Sequence, residues 1–92
     1  MTALDCTVII PVYNEDVKAV TRIYHNLGIN GFKVIIVDDG SHMDFPDEME
    51  VITYPAHMGY GYAIKQGIKA TDTSIILTMD GDSQHTVSDA QK

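Results

Sequence analysis

The chain has 92 residues, enough for one domain with a thin hydrophobic core, so we treat residues 1–92 as a single domain. Hydrophobic residues make up 45% of it and charged residues 21%, a composition that excludes disordered and fibrous proteins. Thirteen acidic residues against six basic ones give a formal charge of −7. This charge excludes sequence-independent binding of nucleic acid, which needs clustered Lys and Arg to neutralise phosphates.

The single cysteine, Cys6, excludes an internal disulfide bond, and its position in an apolar run predicts a buried core residue. No apolar stretch approaches the about 18 residues that a membrane-spanning helix needs. The N-terminus lacks the basic region and long apolar segment of a secretory signal. The sequence therefore predicts a cytoplasmic protein without a transmembrane segment.

Short apolar runs alternate with helical patterns along the chain. Strands are predicted for residues 6–10, 33–37, 49–54 and 73–79, and helices for residues 17–27 and 62–70. Pro11 is expected to end the first strand, Gly28 to stop the first helix, and Asn30-Gly31 to form a turn. The inner face of the second helix is expected to consist of Ala63, Ile64, Gly67 and Ile68.

This order of elements predicts an α/β fold, a Rossmann-like and mostly parallel sheet of about four strands with flanking helices. The connection between the second and third strands, residues 40–50, is close to the minimum for a parallel crossover and contains Pro46. At most one helical turn fits there.

Three of the four predicted strands end in polar or acidic segments, namely Asn14-Glu15, Asp38-Asp39 and Asp80-Gly81-Asp82. The carboxyl ends of parallel strands meet at one edge of the sheet, where open α/β sheets bind their ligands. Acids gathered at one edge repel each other unless a cation or hydrogen-bond donors balance them. The sequence therefore predicts a ligand site at this edge.

Two segments of the chain suit an anionic ligand, one through a bound metal ion and the other through backbone amides. Asp80 and Asp82 flank a glycine, and carboxylate oxygens suit Mg²⁺ or Mn²⁺, with Gln84 within reach. An ordinary acidic turn is the alternative, because Asp-Gly is a common turn dipeptide. Gly59 and Gly61 precede a helix whose backbone amides are able to hold phosphate. The segment matches neither a P-loop nor the dinucleotide fingerprint.

Four segments taken together resemble the family 2 inverting glycosyltransferases, in order and in spacing. They are Val-Ile-Ile-Pro-Val-Tyr-Asn-Glu at 8–15, Val-Ile-Ile-Val-Asp-Asp-Gly-Ser at 34–41, Gly-x-Gly-x-Ala-x-x-x-Gly at 59–67 and the Asp-x-Asp motif at 80–82. The resemblance covers nearly the whole chain. It implies the N-terminal, nucleotide-sugar-binding half of a catalytic domain with the GT-A fold, here truncated.

The resemblance also implies roles for individual residues. Pro11, Tyr13 and Glu15 would lie against the base and ribose of a nucleoside diphosphate sugar, and Asp39 would hydrogen-bond the base. Gly59 belongs to the glycine loop of the donor site.

Asp80 and Asp82 would flank the diphosphate and its Mg²⁺ or Mn²⁺, with Gln84 as a further metal ligand. Two residues depart from the family pattern: His57 stands where Asn is usual, and Tyr60 where a basic or polar residue is common.

The segment 79–85 is similar to the Asp-x-Asp-x-Gln-His variant of polyprenyl-phosphate sugar transferases of the dolichol-phosphate mannose synthase type. That similarity implies a lipid acceptor and a peripheral membrane context, and it leaves GDP-sugar and UDP-sugar donors open. The general base of the family lies in the second half of its domain, so we expect no transfer by residues 1–92 alone. The alternatives are a non-catalytic nucleotide-binding module and a fragment that forms homo-oligomers through a sheet edge.

Overall fold

The computed structural model of the protein describes residues 5–41 and 43–79. Its elements in chain order are β1 (Cys6–Val12), α1 (Val17–Ile29), β2 (Lys33–Asp38), β3 (Val51–Thr53), α2 (Tyr60–Lys69) and β4 (Ile75–Thr78). The strands form one sheet in the order β3-β2-β1-β4, and every pair is parallel. The predicted α/β fold with a parallel sheet is confirmed.

The two central strands, β1 and β2, are covered on both faces. Alternate residues of β1 and β2 lie on opposite faces of the sheet because side chains alternate along a strand. Val8, Ile10 and Val12 pack with α1, whereas Ile9 packs with α2 on the other face. Burial of residues 6–10 and 34–38 on both faces explains why each strand is built around a run of valine and isoleucine.

Strand β1 continues through Pro11 to Val12, so the expectation that Pro11 ends the strand is wrong. The carbonyl of Ile9 accepts a hydrogen bond from Met79 N–H, on the β4 side of the strand. The backbone nitrogen of Pro11, two residues later, points to the same side. The pairing of β1 with β4 covers Cys6 to Ile9 in the described part of the chain. Pro11 therefore continues β1 without removing a hydrogen bond from that pairing.

Helix α1 begins with Asp16 as its N-cap and passes through Gly28, which the sequence analysis wrongly took as its stop. The helix ends where Gly31 adopts a left-handed φ of 91°. Phe32 N–H then donates to the Leu27 carbonyl, and Gly31 N–H donates to the Gly28 carbonyl. This pair of bonds is a Schellman motif, which needs its glycine one position beyond the cap. The predicted turn at Asn30-Gly31 is confirmed.

Helix α2 packs closely on the sheet through Ala63 and Gly67, which are both buried. A Cβ atom added at Gly67 would lie 2.5 Å from Cγ2 of Ile9, a fully buried side chain in the centre of the sheet. Gly67 therefore sets how near the helix lies to β1. Ile68, expected on the inner face, is instead 45% exposed.

The connection from β2 to β3 contains no helix among its described residues, 39–41 and 43–50, as its short length predicted. A single turn closes where Met49 N–H donates to the Pro46 carbonyl. Met43 and Phe45 lie against the α1 side of the core in place of helical side chains. Strand β3 is shorter than expected, with three residues.

Strand β4 is an edge strand of the described sheet and starts two residues later than expected. Thr73 lies before the strand, and its hydroxyl forms a hydrogen bond with the buried hydroxyl of Thr7, as the Thr71 hydroxyl also does. Ile75 and Ile76 are partly exposed at this edge.

Cys6 is buried, as predicted, and burial together with the nearby Asp5 carboxylate raises the pKa of its thiol. In the part of the chain that the structure describes, no helix is both long enough and apolar enough to cross a membrane.

We predict that Gly67→Ala lowers the free energy of unfolding by about 1–3 kcal/mol, because its methyl group would collide with Ile9 in a packed core. Urea denaturation checks this. Gly61→Ala on the same helix is the matched control, since nothing lies within 4 Å of a Cβ at Gly61. Its unfolding free energy should be unchanged or higher by up to about 1 kcal/mol. Equal effects of the two substitutions would contradict the close packing of α2 on β1.

Candidate functional site

A cleft of about 180 Å³ opens at the carboxyl edge of the sheet, on the side covered by α2. It lies between the loop that follows β1, the end of β2 and the first turn of α2. Its lining residues are Pro11, Val12, Tyr13, Glu15, Asp39, Tyr60 and Ala63. The fold thus brings together four residues that the sequence analysis assigned to a nucleotide site: Pro11, Tyr13, Glu15 and Asp39.

The adjacent acids Asp38 and Asp39 are both buried, and their side chains lie on opposite faces of the sheet. The Asp38 carboxylate lies on the α1 side, where it accepts hydrogen bonds from Ser41 N–H, the Ser41 hydroxyl and Met43 N–H. It thereby shapes the connection between β2 and β3. Asp39 lies on the α2 side and borders the cleft.

Three hydrogen-bond donors and the imidazole of His57 surround the Asp39 carboxylate. Oδ1 accepts from the Tyr54 hydroxyl at 2.5 Å and from Met58 N–H at 2.9 Å. Oδ2 accepts from Gly59 N–H at 2.9 Å, and Nδ1 of His57 lies 2.8 Å from the same oxygen. An ionised carboxylate offers about four acceptor positions, and three of them receive these hydrogen bonds.

These contacts set the ionisation of the two buried partners. Burial by itself would raise the pKa of Asp39, but the hydrogen bonds from Tyr54, Met58 and Gly59 and the nearby His57 outweigh it and hold that pKa below its usual value. Burial and the neighbouring Asp39 carboxylate raise the pKa of Tyr54. Both effects favour an ionised Asp39 beside a neutral tyrosine that donates to it.

Gly40 allows the backbone after β3 to approach the end of β2. Its φ is 84°, and an added Cβ would lie 2.3 Å from the carbonyl carbon of Ala56 and 2.4 Å from the nitrogen of His57. Only glycine fits both the left-handed conformation and the close approach. This contact brings residues 56–59 within reach of the Asp39 carboxylate.

His57 joins the network to the cleft. Its ring stacks on the ring of Tyr13, with centroids 4.0 Å apart and planes tilted by 33°. Its Nδ1 also lies 3.4 Å from the Asp39 carbonyl oxygen. Both neighbours of Nδ1 are acceptors, so Nδ1 carries a proton and donates. His57 therefore links the Asp39 carboxylate to an aromatic residue that lines the cleft.

Tyr54 and His57 are site residues that the sequence analysis did not identify. Tyr54 ends the apolar stretch around β3 and looks like a core residue there, although its alternation with Ile52 places it on the α2 face. His57 was noted only as a departure from the family pattern. Their common partner is separated from them by 15 and 18 residues, so no local motif shows the contact.

Gly59, which the sequence analysis assigned to the site, is the N-cap of α2, with φ at 100° and without a side-chain hydrogen bond to the first turn. Its own N–H is used by Asp39. The first-turn amides of α2, next to Tyr60 of the cleft lining, lack a capping side chain. This arrangement suits an anion, because helix N-termini present donors and a positive dipole end.

The predicted metal ligands, Asp80, Asp82 and Gln84, lie outside the described residues. The described chain ends at Met79, whose N–H donates to the Ile9 carbonyl in the middle of the sheet. Among residues 5–41 and 43–79, no three His, Cys, Asp or Glu side chains are grouped closely enough to hold a metal ion. The metal site therefore stays a prediction.

A second groove, of about 260 Å³, lies along the connection between β2 and β3 and is lined by residues from Met43 to Thr53. It contains two acids, Asp44 and Asp47. None of the residues that the sequence analysis assigned to a nucleotide or metal lines it.

Comparisons with known proteins agree with this fold. A model of the family described as Glycosyl transferase family 2 matches residues 7–92. The chain is also similar to an uncharacterized protein, MJ1222, of Methanocaldococcus jannaschii, with 35% identity over 95 aligned residues. That alignment covers 92% of this chain and 38% of MJ1222, so the chain spans about two fifths of the length of this relative.

We predict that the Asp39 network makes stability depend on acid pH. Because the pKa of Asp39 is lowered in the folded state, its contribution is complete above the unfolded value of about 3.9 and is lost as pH falls through the folded value. The urea midpoint of the protein should therefore decrease steeply below about pH 4.

In Asp39→Asn the urea midpoint at pH 7 should be lower, and part of the decrease below about pH 4 should be absent. Asp5, whose pKa is lowered by its hydrogen bonds with Ser74, retains its own contribution in both proteins. Asp16→Asn is the control, because Asn caps a helix about as well as Asp does. Identical acid profiles for the protein and Asp39→Asn would refute the prediction.

Proposed function

Because the chain belongs to glycosyl transferase family 2, we propose that it binds a nucleoside diphosphate sugar, the donor of an inverting glycosyl transfer, in the cleft beside Asp39. The observation that carries this proposal is the convergence of Pro11, Tyr13, Glu15 and Asp39 on one cleft at the carboxyl edge of a parallel sheet. These residues come from two segments that are distant in sequence, and Tyr60 and Ala63 of α2 complete the lining.

The cleft offers complementary surfaces for the parts of a nucleotide. Tyr13 is 43% exposed and presents an aromatic ring for a base to stack on, beside the apolar ring of Pro11. The Glu15 carboxylate is an acceptor for ribose hydroxyls. The start of α2 supplies backbone donors for a phosphate near Tyr60. Base, ribose and phosphate thus each have a partner within one cleft.

The charged side chains that line the described cleft, Glu15 and Asp39, are both acids. A diphosphate therefore needs a positive charge that these residues do not supply. We propose that Asp80, Asp82 and Gln84 hold Mg²⁺ or Mn²⁺, since carboxylate and amide oxygens suit these ions. Bound there, the cation would neutralise the diphosphate leaving group. Asp80 is next in sequence to Met79, which follows β4 and donates its N–H to the Ile9 carbonyl of β1, and this supports the assignment.

We propose transfer to an acceptor as the activity of a longer protein, since the chain spans about two fifths of MJ1222. The Asp-Gly-Asp-Ser-Gln-His segment at 80–85 favours a polyprenyl phosphate acceptor, as in the dolichol-phosphate mannose synthase type. The chain itself would then contribute donor binding.

Calorimetric titration with UDP and with GDP, each with and without Mn²⁺, tests donor binding. We expect one nucleotide to bind, only with the metal, and we expect Asp80→Ala and Asp82→Ala to abolish binding. Tyr13→Ala should weaken it about tenfold or more, because a stacking surface is lost. Asp72→Ala is the matched control: this exposed acid precedes β4, at the opposite end of the sheet from the cleft.

If neither nucleotide binds under any condition, the proposal is wrong. A fragment that associates through the edge strand β4, where Ile75 and Ile76 are exposed, would then be the favoured alternative.

A further inference from the structure

We propose that His57 is a positioning residue, whose ring holds the Tyr13 ring in place as the stacking surface for the base. This inference rests on the proposed function, because it concerns how the same cleft receives its nucleotide. It gives a role to a residue that the sequence presented only as a departure from the family pattern.

Tyr13 lies just beyond the end of a strand and outside the buried core. Strand β1 ends at Val12, and Asn14, directly after Tyr13, adopts a left-handed φ of 54°. Because 43% of Tyr13 is exposed, core packing does not by itself fix its ring. A side chain that is free to rotate loses that freedom when a ligand packs on it, and this loss weakens binding. A neighbour that fixes the ring beforehand therefore strengthens binding.

The His57 ring is such a neighbour, because it lies against one face of Tyr13. The two ring centroids are 4.0 Å apart and the planes are tilted by 33°. The edge-on pair of Tyr54 and Tyr62 differs clearly, with centroids 5.0 Å apart and planes at 83°. The contact of His57 is thus closer to a stack than to an edge-on contact. It leaves the opposite face of Tyr13 for a base.

The end of β2 in turn holds the His57 ring. Nδ1 lies 2.8 Å from Oδ2 of Asp39 and 3.4 Å from the Asp39 carbonyl oxygen. Asp39 is itself buried, so this end of the imidazole is anchored on the sheet although 52% of the His57 side chain is exposed. Tyr13 lines the cleft and His57 does not. We therefore expect His57 to act through Tyr13 and not on the nucleotide.

Two substitutions separate the ring of His57 from its polar group. His57→Phe keeps a flat ring that is able to lie against Tyr13, but it loses the contact of Nδ1 with Asp39. His57→Asn keeps a polar group near Asp39 and loses the ring. If the ring positions Tyr13, His57→Phe should bind nucleotide within about twofold of the unmodified chain, and His57→Asn should bind about three- to tenfold more weakly.

The experiment is calorimetric titration with UDP and with GDP in the presence of Mn²⁺. His57→Ala should weaken binding about three- to tenfold in the unmodified chain, but by less than about twofold in a chain that already carries Tyr13→Ala. His25→Ala is the matched control and should bind as the unmodified chain does. His25 is also an exposed histidine in ring contact with a tyrosine, Tyr24, but it lies on α1, across the sheet from the cleft.

Unchanged affinity in His57→Asn would overturn the positioning role, as would a His57→Phe variant that binds as weakly as His57→Asn. A full effect of His57→Ala in the Tyr13→Ala chain would also overturn it, because His57 would then act on the nucleotide directly. Where Tyr13→Ala leaves no measurable binding, or His57→Asn does not fold as judged by circular dichroism, the comparison of His57→Ala with His57→Phe decides the matter.

These outcomes are distinct from a failure of the proposed function. An unmodified chain that binds neither UDP nor GDP contradicts the proposed function itself, and the role of His57 with it. An unmodified chain that binds one of them, and whose affinity does not depend on the ring of His57, contradicts only the role of His57.

Discussion

The buried carboxylate of Asp39 is the interaction on which the candidate site depends. A charge taken out of water is costly unless hydrogen bonds replace its hydration, and here three donors and the neighbouring His57 do so. All four partners lie in residues 54–59, between β3 and α2. One acidic side chain at the end of β2 therefore holds together the segments that form one side of the cleft.

Side chains alternate between the two faces of a β-strand, so the neighbouring acids Asp38 and Asp39 make different contacts. Asp38 closes the connection on the α1 face, whereas Asp39 organises the α2 face. Gly40 then permits the close approach of Ala56 and His57 that Asp39 requires. Each of the four residues in the run Asp-Asp-Gly-Ser at 38–41 thus makes a different contact.

The sequence predicted the fold well because the apolar runs are short, β-branched and separated by clear turn residues. The predictions that were wrong failed for local physical reasons. Gly28 was a plausible helix stop, but the left-handed position that ends α1 belongs to Gly31. Pro11 was a plausible strand end, but its nitrogen faces the side where the described pairing with β4 is already complete. Ile68 belonged to the apolar stripe of α2, yet only Ala63 and Gly67 lie close enough to the sheet to be buried.

The candidate site was predictable where its residues lie at or just beyond the carboxyl ends of strands, as with Pro11, Tyr13 and Asp39. The partners of Asp39 were not predictable, because Tyr54 and His57 meet it through a contact between distant segments. Composition and periodicity carry no information about such a contact. Knowledge of the motif alone suggested a base contact for Asp39, and it gave no sign of the three hydrogen bonds that hold this carboxylate in place.

The most direct test of the account is amide chemical-shift mapping by NMR while UDP or GDP is added with Mg²⁺. We expect the largest shifts on residues 12–15, on Asp39 and on residues 57–60, which surround the cleft. Shifts concentrated instead on residues 43–53, along the second groove, would contradict the account, and so would the absence of shifts with both nucleotides.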